Sequence, residues 1–187
     1  SQTTTKDGKI VKKSWNNCTD VSKVFEFFRE KHWCHANPFS EIKRYTTKEM
    51  GGGLKQRLEV ETCEELMAYL EDHHPKWVTY FVLTLLLGIR PDLRNGEIWE
   101  FAQAVQKHGL AAYYGNGTIW LTADITKERE PRTVKVMPNI VEWLAAYPMT
   151  PESICPGDYK DEDLTEIRKR FKIPHDGLRH TAISAFM

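Results

Sequence analysis

The sequence lacks three features that assign many proteins to a class at once: an excess of charge, closely spaced cysteines and a long hydrophobic run. Its 187 residues carry 26 basic and 26 acidic side chains, which excludes a uniformly polybasic protein. The four cysteines include no C-x-x-C pair, so a disulfide-dense secreted domain is excluded and a reduced, intracellular setting is favoured. The most apolar stretch, residues 77–89, is too short to cross a bilayer.

The charges that are present are distributed unevenly. Residues 1–60 carry 12 basic and 7 acidic side chains, whereas residues 61–120 carry 4 and 8. A basic N-terminal third leaves nucleic acid open as a partner. His32, Cys34 and His35 lie close together in this third, but no second group of ligands accompanies them. We therefore interpret them as the end of a helix and predict no metal site.

Apolar residues make up 41% of the chain, which is enough for a globular protein of one or two domains. They recur at steps of three and four from Ser14 to about Trp33, and this spacing predicts a helix. Three consecutive glycines at positions 51–53 lie in a polar stretch and indicate a linker. We therefore place a domain boundary between residues 45 and 57.

Beyond the linker the pattern changes from helical periodicity to strand signals and back. Thr62 and Glu65 have the spacing of a capping box at the start of a helix, and Asn139 and Glu142 repeat that spacing. Further helices are predicted over residues 77–87, 97–107 and 161–171 and from about residue 176, and strands over residues 111–114, 118–122 and 133–137. The predicted fold class is mainly α with a small antiparallel β-sheet (α+β).

Three cationic side chains stand out by their position. Arg90 follows an apolar helix, Lys127 lies in a turn between two predicted strands, and Arg179 lies near the start of the last helix. A guanidinium presents a planar fork of donors that fits phosphate oxygens, and a lysine supplies a proton as well as charge. Backbone N–H groups at the helix start near Arg179 add donors for an anion. Taken singly, each residue is better explained as a surface charge or an ion-pair partner.

The segments around these residues are more specific. "LTLLLGIRP", "TADITKEREPRTVKVMPNIVEWL" and "HDGLRHTAIS" occur in that order. Together they resemble the catalytic domain of the tyrosine recombinases, the phage-integrase family, over residues 57–187, and they imply its DNA breaking-rejoining fold. Residues 14–45 are similar to the last helix and exit loop of the family's DNA-binding arm domain. The resemblance thus implies a remnant of that core-binding domain plus linker over residues 1–50 and a catalytic domain over residues 51–187.

The resemblance also implies a function: a site-specific recombinase or integrase that cleaves and rejoins DNA through a phosphotyrosine. In that reading Arg90 and Arg179 bind the non-bridging oxygens of the scissile phosphate, and Lys127 is the general acid toward the leaving 5′ oxygen. No cofactor or metal is implied, because the bond energy is kept in the protein–DNA link. The implied partner is double-stranded DNA with a homotetramer assembled on it, from chains that are monomers in isolation. The implied location is the bacterial cytoplasm at the nucleoid, with no membrane partner.

The second arginine motif departs from the family pattern. A histidine usually stands three residues before the arginine, but here Asp176 stands three residues before Arg179, and His175 comes one residue earlier. Asp176 is predicted to cap the helix, to orient an arginine or to act as base for the nucleophile, and His175 could take the histidine's role through a one-residue bulge. His180 is a further candidate for phosphate binding, with a structural role as the alternative.

Two more positions bear on the resemblance. The family often has an acidic residue shortly after its first arginine; Leu93 stands at that place after Arg90, and Glu97 could replace it after a small insertion. The nucleophilic tyrosine of the family follows the second arginine, yet all seven tyrosines of this sequence precede Arg179. We therefore expect a fragment of a longer recombinase whose catalytic domain is incomplete at its C-terminus and which is inactive alone.

Two other classes of protein remain open. One is a non-catalytic, DNA-binding relative of the family whose phosphate pocket persists without a nucleophile. The other is a helical protein-interaction domain in which the motif matches arise by chance. Geometry separates the last class from the others, because Arg90, Lys127 and Arg179 must converge if they act on one phosphate.

Overall fold

The computed structural model describes residues 12–40, 57–158, 160–174 and 176–186. The chain divides into two compact units, Ser1–Leu54 and Lys55–Met187. The sequence placed the boundary between residues 45 and 57, and the resemblance implied a division after residue 50. The second unit is mainly helical with one three-stranded antiparallel sheet, which confirms the predicted α+β class. No helix in the described ranges is long and apolar enough to span a membrane.

The first unit is described over one helix and the loop that follows it. Helix α1 (Lys12–Glu30) matches the predicted helix. Its C-terminal half packs against the loop around Asn37, whose buried side chain donates hydrogen bonds from Nδ2 to the carbonyl oxygen of Ser22 at 3.1 Å and to Oε1 of Glu26 at 2.8 Å. Within the described residues, which include His32, Cys34 and His35, no three potential ligands form a metal-binding group.

The helices of the second unit enclose its hydrophobic core. They are α2 (Val60–His73), α3 (Val78–Phe81), α4 (Glu97–His108), α5 (Pro138–Ala146), α6 (Pro151–Ile154), α7 (Glu162–Arg170) and α8 (Gly177–Phe186). Short 3₁₀ turns occupy Pro75–Trp77 and Leu110–Ala112. Helix α3 continues into a π-helical turn, Val82–Leu86, so the segment from Pro75 to Leu86 forms a central rod of three helical types.

The central rod is buried on nearly every side, as its uninterrupted apolar sequence predicts. Trp77, Tyr80 and Phe81 have no exposed surface, and their rings meet edge to face. The hydroxyl of Thr84 is also buried and donates to the carbonyl oxygen of Tyr80 at 2.8 Å, which satisfies its hydrogen-bonding need inside the rod. The rod therefore supplies a rigid core element that leads directly to Arg90.

The sheet consists of β1 (Tyr114–Gly115), β2 (Thr118–Leu121) and β3 (Arg132–Lys135), in that spatial order. Asn116 and Gly117 connect β1 to β2 with positive φ angles of 50° and 66°, the geometry that a two-residue hairpin loop requires. Strand β1 is shorter than predicted because the backbone over 110–112 closes into a 3₁₀ turn. In the register of β2 and β3, Leu121 lies opposite Arg132.

Both predicted capping boxes are wrong. Helix α2 begins at Val60, two residues before Thr62, and its N-cap Glu59 makes no side-chain cap. Just before this helix the backbone N–H of Leu58 donates to the hydroxyl of Thr181 at 2.8 Å. Helix α5 begins at Pro138, where the ring sets the helical φ angle and no N–H needs a partner, so Asn139 lies inside the first turn.

Helix α7 docks on the rod and α2 through an exposed set of charges, here called the α7 network. Its members are His74, Lys76, Asp161, Asp163 and Glu166. Lys76 contacts Asp161 at 3.4 Å and also pairs with Asp163, while the two ring nitrogens of His74 lie 3.6 Å from Asp163 and 3.5 Å from Glu166. Asp161 also caps α7 through Oδ1, which accepts the N–H of Asp163 at 3.0 Å.

Candidate functional site

Arg90 is held where the central rod ends. Gly88 adopts a φ angle of +68°, a left-handed conformation that turns the chain sharply after the rod. A Cβ atom at Gly88 would lie 3.3 Å from Cβ of Ala182, so this turn and helix α8 are closely packed. Ile89 is fully buried after the turn, and the Arg90 side chain keeps 27% of its surface exposed. The left-handed turn at Gly88 thus places Arg90 at the edge of the hydrophobic core.

Helix α8 brings Arg179 to the same place. Ala182, which meets Gly88, lies three residues after Arg179 and therefore next to it along the helix surface. Leu178 and Ala182 are buried. The hydroxyl of Thr181 donates to the carbonyl oxygen of Gly177 at 2.7 Å and accepts the N–H of Leu58 at 2.8 Å, which fixes α8 to the start of α2. Arg179 itself is half-buried.

The positive charges of Arg90 and Arg132 both act on Arg179. Burial lowers the pKa of Arg179 from its usual value, and the positive charges of Arg90 and then Arg132 lower it further. The negative charges of Glu97 and Asp176 act in the opposite direction on the same pKa. Arginine nonetheless stays protonated near neutral pH, because its ordinary pKa is above about 12. Three positive side chains therefore lie together; we call them, with Glu97, the arginine pocket.

Glu97 is the buried anchor of the arginine pocket. Only 2% of its surface is exposed, and its Oε2 atom accepts two hydrogen bonds. One comes from the backbone N–H of Arg90 at 2.9 Å, and the other comes from Nη2 of Arg132 at 2.7 Å. Of the two positions considered for the acidic residue, Glu97 therefore reaches the site, whereas Leu93 is buried in the hydrophobic core.

The arginine pocket has more hydrogen-bond donors than its own residues satisfy. One buried carboxylate, Glu97, faces three guanidinium groups, and the other acidic side chains that act on them, Glu128 at 3.2 Å from Nη2 of Arg90 and Asp176, are exposed. The Nε atoms of Arg132 and Arg179 are buried and have no hydrogen-bond partner among the described residues. Buried donors without partners cost free energy, which an anion with several oxygen atoms would offset. The arrangement is chemically suited to binding such an anion.

Lys127 lies beside the pocket without contacting it. It belongs to the connection between β2 and β3, where the hydroxyl of Thr126 donates to the carbonyl oxygen of Glu130 at 2.8 Å and closes the loop on itself. The next residue, Glu128, is the one that pairs with Arg90. Lys127 is exposed and makes no hydrogen bond or ion pair with any described residue. The structure thus brings Arg90 and Arg179 together and leaves the ammonium of Lys127 in solvent.

The remaining candidates lie around the first turn of α8. Asp176 is exposed, and its negative charge raises the pKa of Arg179. Its carbonyl oxygen accepts the backbone N–H of His180 at 3.1 Å, and His180 is half-buried. His175, the alternative to Asp176, lies outside the described residues. Asp176 therefore contributes charge to the pocket, whereas the role of a histidine at this place stays a prediction.

No described tyrosine has the position of a nucleophile. Tyr69, Tyr80, Tyr113, Tyr114 and Tyr147 make no hydrogen bond to the three arginines. The hydroxyl of Tyr80 donates to the carbonyl oxygen of Pro91, the residue after Arg90, at 3.0 Å. Burial raises the pKa of Tyr80 to about 12, which opposes formation of a phenolate. Tyr45 and Tyr159 lie outside the described residues.

Arg132 is the pocket residue that the sequence analysis missed. A signal for it was present, because Arg132 lies between Pro131 and the predicted strand over residues 133–137. Side chains in a strand alternate, and in β3 Arg132 and Val134 are half-buried whereas Thr133 and Lys135 are exposed. An arginine on the inward face of a strand needs a buried partner or a ligand, and this rule would have singled out Arg132.

Comparison with protein-family models, with curated proteins and with solved structures gives no match for the chain.

Proposed function

We propose that the second unit binds a phosphodiester group of duplex DNA through Arg90 and Arg179, as the catalytic domain of a tyrosine-type site-specific recombinase. One observation carries the proposal. Two arginines from motifs far apart in the sequence lie together at the edge of the core, next to a buried carboxylate that holds the backbone of one of them. The order of the three sequence motifs supports the same assignment. The recombinase-like architecture of the domain is part of this proposal.

A phosphodiester fits the pocket better than a carboxylate or a neutral ligand. It presents two non-bridging oxygens, and a guanidinium binds such a pair with parallel N–H donors. When an oxygen nucleophile attacks the phosphorus, negative charge increases on these two oxygens, so fixed positive groups stabilise the transition state more than the ground state. Arg90 and Arg179 would supply that charge without reorganisation, because Gly88 and the packing of α8 already hold their backbones.

In this proposal Lys127 protonates the leaving 5′ oxygen. Its place on the β2–β3 connection, next to Glu128, puts it at the rim from which it must move inward when DNA binds. The exposed ammonium and the absence of a bond to any described residue leave it free to do so. Asp176 and His180 would adjust the charge around Arg179 from the first turn of α8.

Cleavage would need a nucleophile from outside the described residues. The five described tyrosines do not bond to the pocket, so the tyrosine would come from another segment or from a neighbouring protomer in the DNA-bound tetramer. The same observation favours a second candidate function, a DNA-binding relative that holds phosphate without cleaving it. The first unit would contribute DNA contacts through its positive surplus in either case, in the nucleoid of a bacterial cell.

The first test measures the binding of labelled duplex DNA at several salt concentrations. We expect Arg90→Ala and Arg179→Ala each to weaken binding about tenfold, because a hydrogen bond to a charged group is worth roughly 1.5–3 kcal/mol. Each should also lower the salt dependence by about one released counterion. Arg94→Ala is the matched control, since Arg94 is exposed and its side chain bonds to no described residue. Equal losses in all three variants would contradict the proposal.

The second test separates cleavage from simple binding. The chain is incubated with a nicked suicide duplex, and covalent protein–DNA adducts are sought on a denaturing gel. We expect no adduct with residues 1–187 alone, and adduct formation when a tyrosine-bearing C-terminal segment is supplied in cis or in trans. If no such segment restores the adduct while DNA binding still depends on Arg90 and Arg179, the non-catalytic function is the right one. An adduct on residues 1–187 alone would identify a nucleophile among the seven tyrosines.

A further inference from the structure

The strongest unassigned feature of the second unit is Arg132. It is the first residue of β3, directly after the connection that carries Lys127, and its side chain keeps 34% of its surface exposed. Its charge lies close enough to Arg179 to lower the pKa of that arginine. The sequence analysis did not single out this residue, although the second of the three sequence segments contains it, and its position was decided by the pairing of β3 with β2.

The hydrogen bonds of Arg132 are incomplete for a residue with a structural role alone. Nη2 donates to Oε2 of Glu97 at 2.7 Å, yet Glu97 also accepts the backbone N–H of Arg90 and so is shared. Nε of Arg132 is buried without a partner among the described residues, and the same holds for Nε of Arg179. An arginine that only closed an ion pair would turn its fork fully to the carboxylate. Here part of the fork makes no bond to any described residue.

The charge of the pocket leads to the same conclusion. Bringing Arg132 toward Arg90 and Arg179 costs free energy, and a single buried carboxylate offsets one of the three positive charges. Groups of like charge are brought together in proteins at sites that bind a ligand of opposite charge. Glu97 binds the backbone N–H of Arg90 and the guanidinium of Arg132 through one oxygen atom. It therefore fixes the positions of these two residues relative to each other.

We propose that Arg132 is a third phosphate-binding residue of the arginine pocket, and that Glu97 is the positioning residue that aims it. The proposal rests on the proposed function, because the ligand is the same phosphodiester group. Arg132 would donate to a phosphate oxygen beside those bound by Arg90 and Arg179. Since it begins β3, its bond to the phosphate would also fix the base of the Lys127 loop when DNA binds.

The test compares Arg132→Gln and Arg132→Lys with Lys135→Gln in the intact chain. Lys135 is the matched control because it lies on the same strand, carries the same charge and faces solvent. Binding of one labelled duplex is titrated over several salt concentrations, below the melting temperature of each variant. We expect Arg132→Gln to weaken binding about tenfold and to lower the salt dependence by about one counterion. Arg132→Lys should keep the salt dependence but lose several-fold in affinity, because lysine lacks the planar fork.

The salt dependence distinguishes binding from support of the fold, since it counts phosphates that the protein neutralises. If Arg132→Gln keeps the wild-type salt dependence while Arg90→Ala and Arg179→Ala lower it, Arg132 is a structural residue and the inference is wrong, although the proposed function stands. An equal loss with Lys135→Gln would likewise overturn the assignment of Arg132 to the pocket. If neither Arg90→Ala nor Arg179→Ala changes binding, the proposed function itself fails.

Discussion

The arginine pocket and the α7 network are both clusters of charged side chains, but they are built in opposite ways. In the α7 network Lys76 pairs with the opposite charges of Asp161 and Asp163, and Lys76 and Glu166 keep about half of their surface exposed. In the arginine pocket the single carboxylate is buried and like charges lie side by side. The network therefore places three carboxylates around one lysine and one histidine near solvent, whereas the pocket places three guanidinium groups around one buried carboxylate.

The difference shows which of the two clusters is suited to a ligand. Exposed ion pairs each contribute about 0–1 kcal/mol, so the α7 network guides the docking of α7 at little gain or cost. A half-buried cluster of like charges, with two Nε atoms that lack partners, lowers the stability of the free protein. Such a cluster is typical of a binding site rather than of a structural contact.

The largest effect is expected from replacing Glu97, the buried anchor of the arginine pocket, and it is on the stability of the protein. Glu97→Ala should lower the free energy of unfolding by about 3 kcal/mol or more, because it leaves the Arg132 guanidinium without its buried partner and the N–H of Arg90 without an acceptor. Denaturant titration measures the change. Glu97→Gln should lose less, since an amide oxygen can still accept both bonds. A loss below about 1 kcal/mol for Glu97→Ala would mean that the buried carboxylate of the pocket contributes no more to stability than an exposed ion pair of the α7 network.

An intermediate effect is expected when an anion is added. Inorganic pyrophosphate should raise the free energy of unfolding by roughly 1.4 kcal/mol at ten times its dissociation constant, because it binds the folded state alone. Arg179→Ala should abolish this stabilisation by removing one of the clustered guanidinium groups. Asp163→Ala, which alters only the α7 network, should leave it intact. Thermal melts over a pyrophosphate series at constant ionic strength measure the effect, and equal responses of the two variants would contradict it.

The smallest effect is expected from the α7 network, and it depends on pH. A hydrogen bond from Lys76 lowers the pKa of Asp163 from its usual value. The carboxylate therefore stabilises the fold above the unfolded pKa of about 3.9, and this contribution is lost as the pH falls through the lowered folded value. Asp163→Ala should cost at most about 1 kcal/mol near neutral pH, less at high salt, and nothing in strong acid. If the difference in the free energy of unfolding between Asp163→Ala and the wild type instead grows as the pH falls, the prediction is wrong.

The site could be predicted from the sequence only where its residues lie in recognisable motifs. Arg90 and Arg179 were singled out by their place after an apolar helix and at the start of the last one. The choice between Leu93 and Glu97 stayed open, because it depends on whether a small insertion follows Arg90. Arg132 was missed, since its partner Glu97 lies in a different element and no local pattern joins them.

The amino-acid sequence by itself determined the secondary structure of most of the second unit: the buried rod, the end of α4 at Gly109, the Asn116–Gly117 hairpin loop and the mainly helical class. These features follow from the spacing of apolar residues and from the backbone limits of glycine and proline, which act over a few residues. Only the tertiary structure decided which carboxylate holds Arg90 and that Arg132 joins Arg179. Those outcomes depend on the packing of α8 against the turn at Gly88 and on the register of β3, contacts between residues distant in the chain.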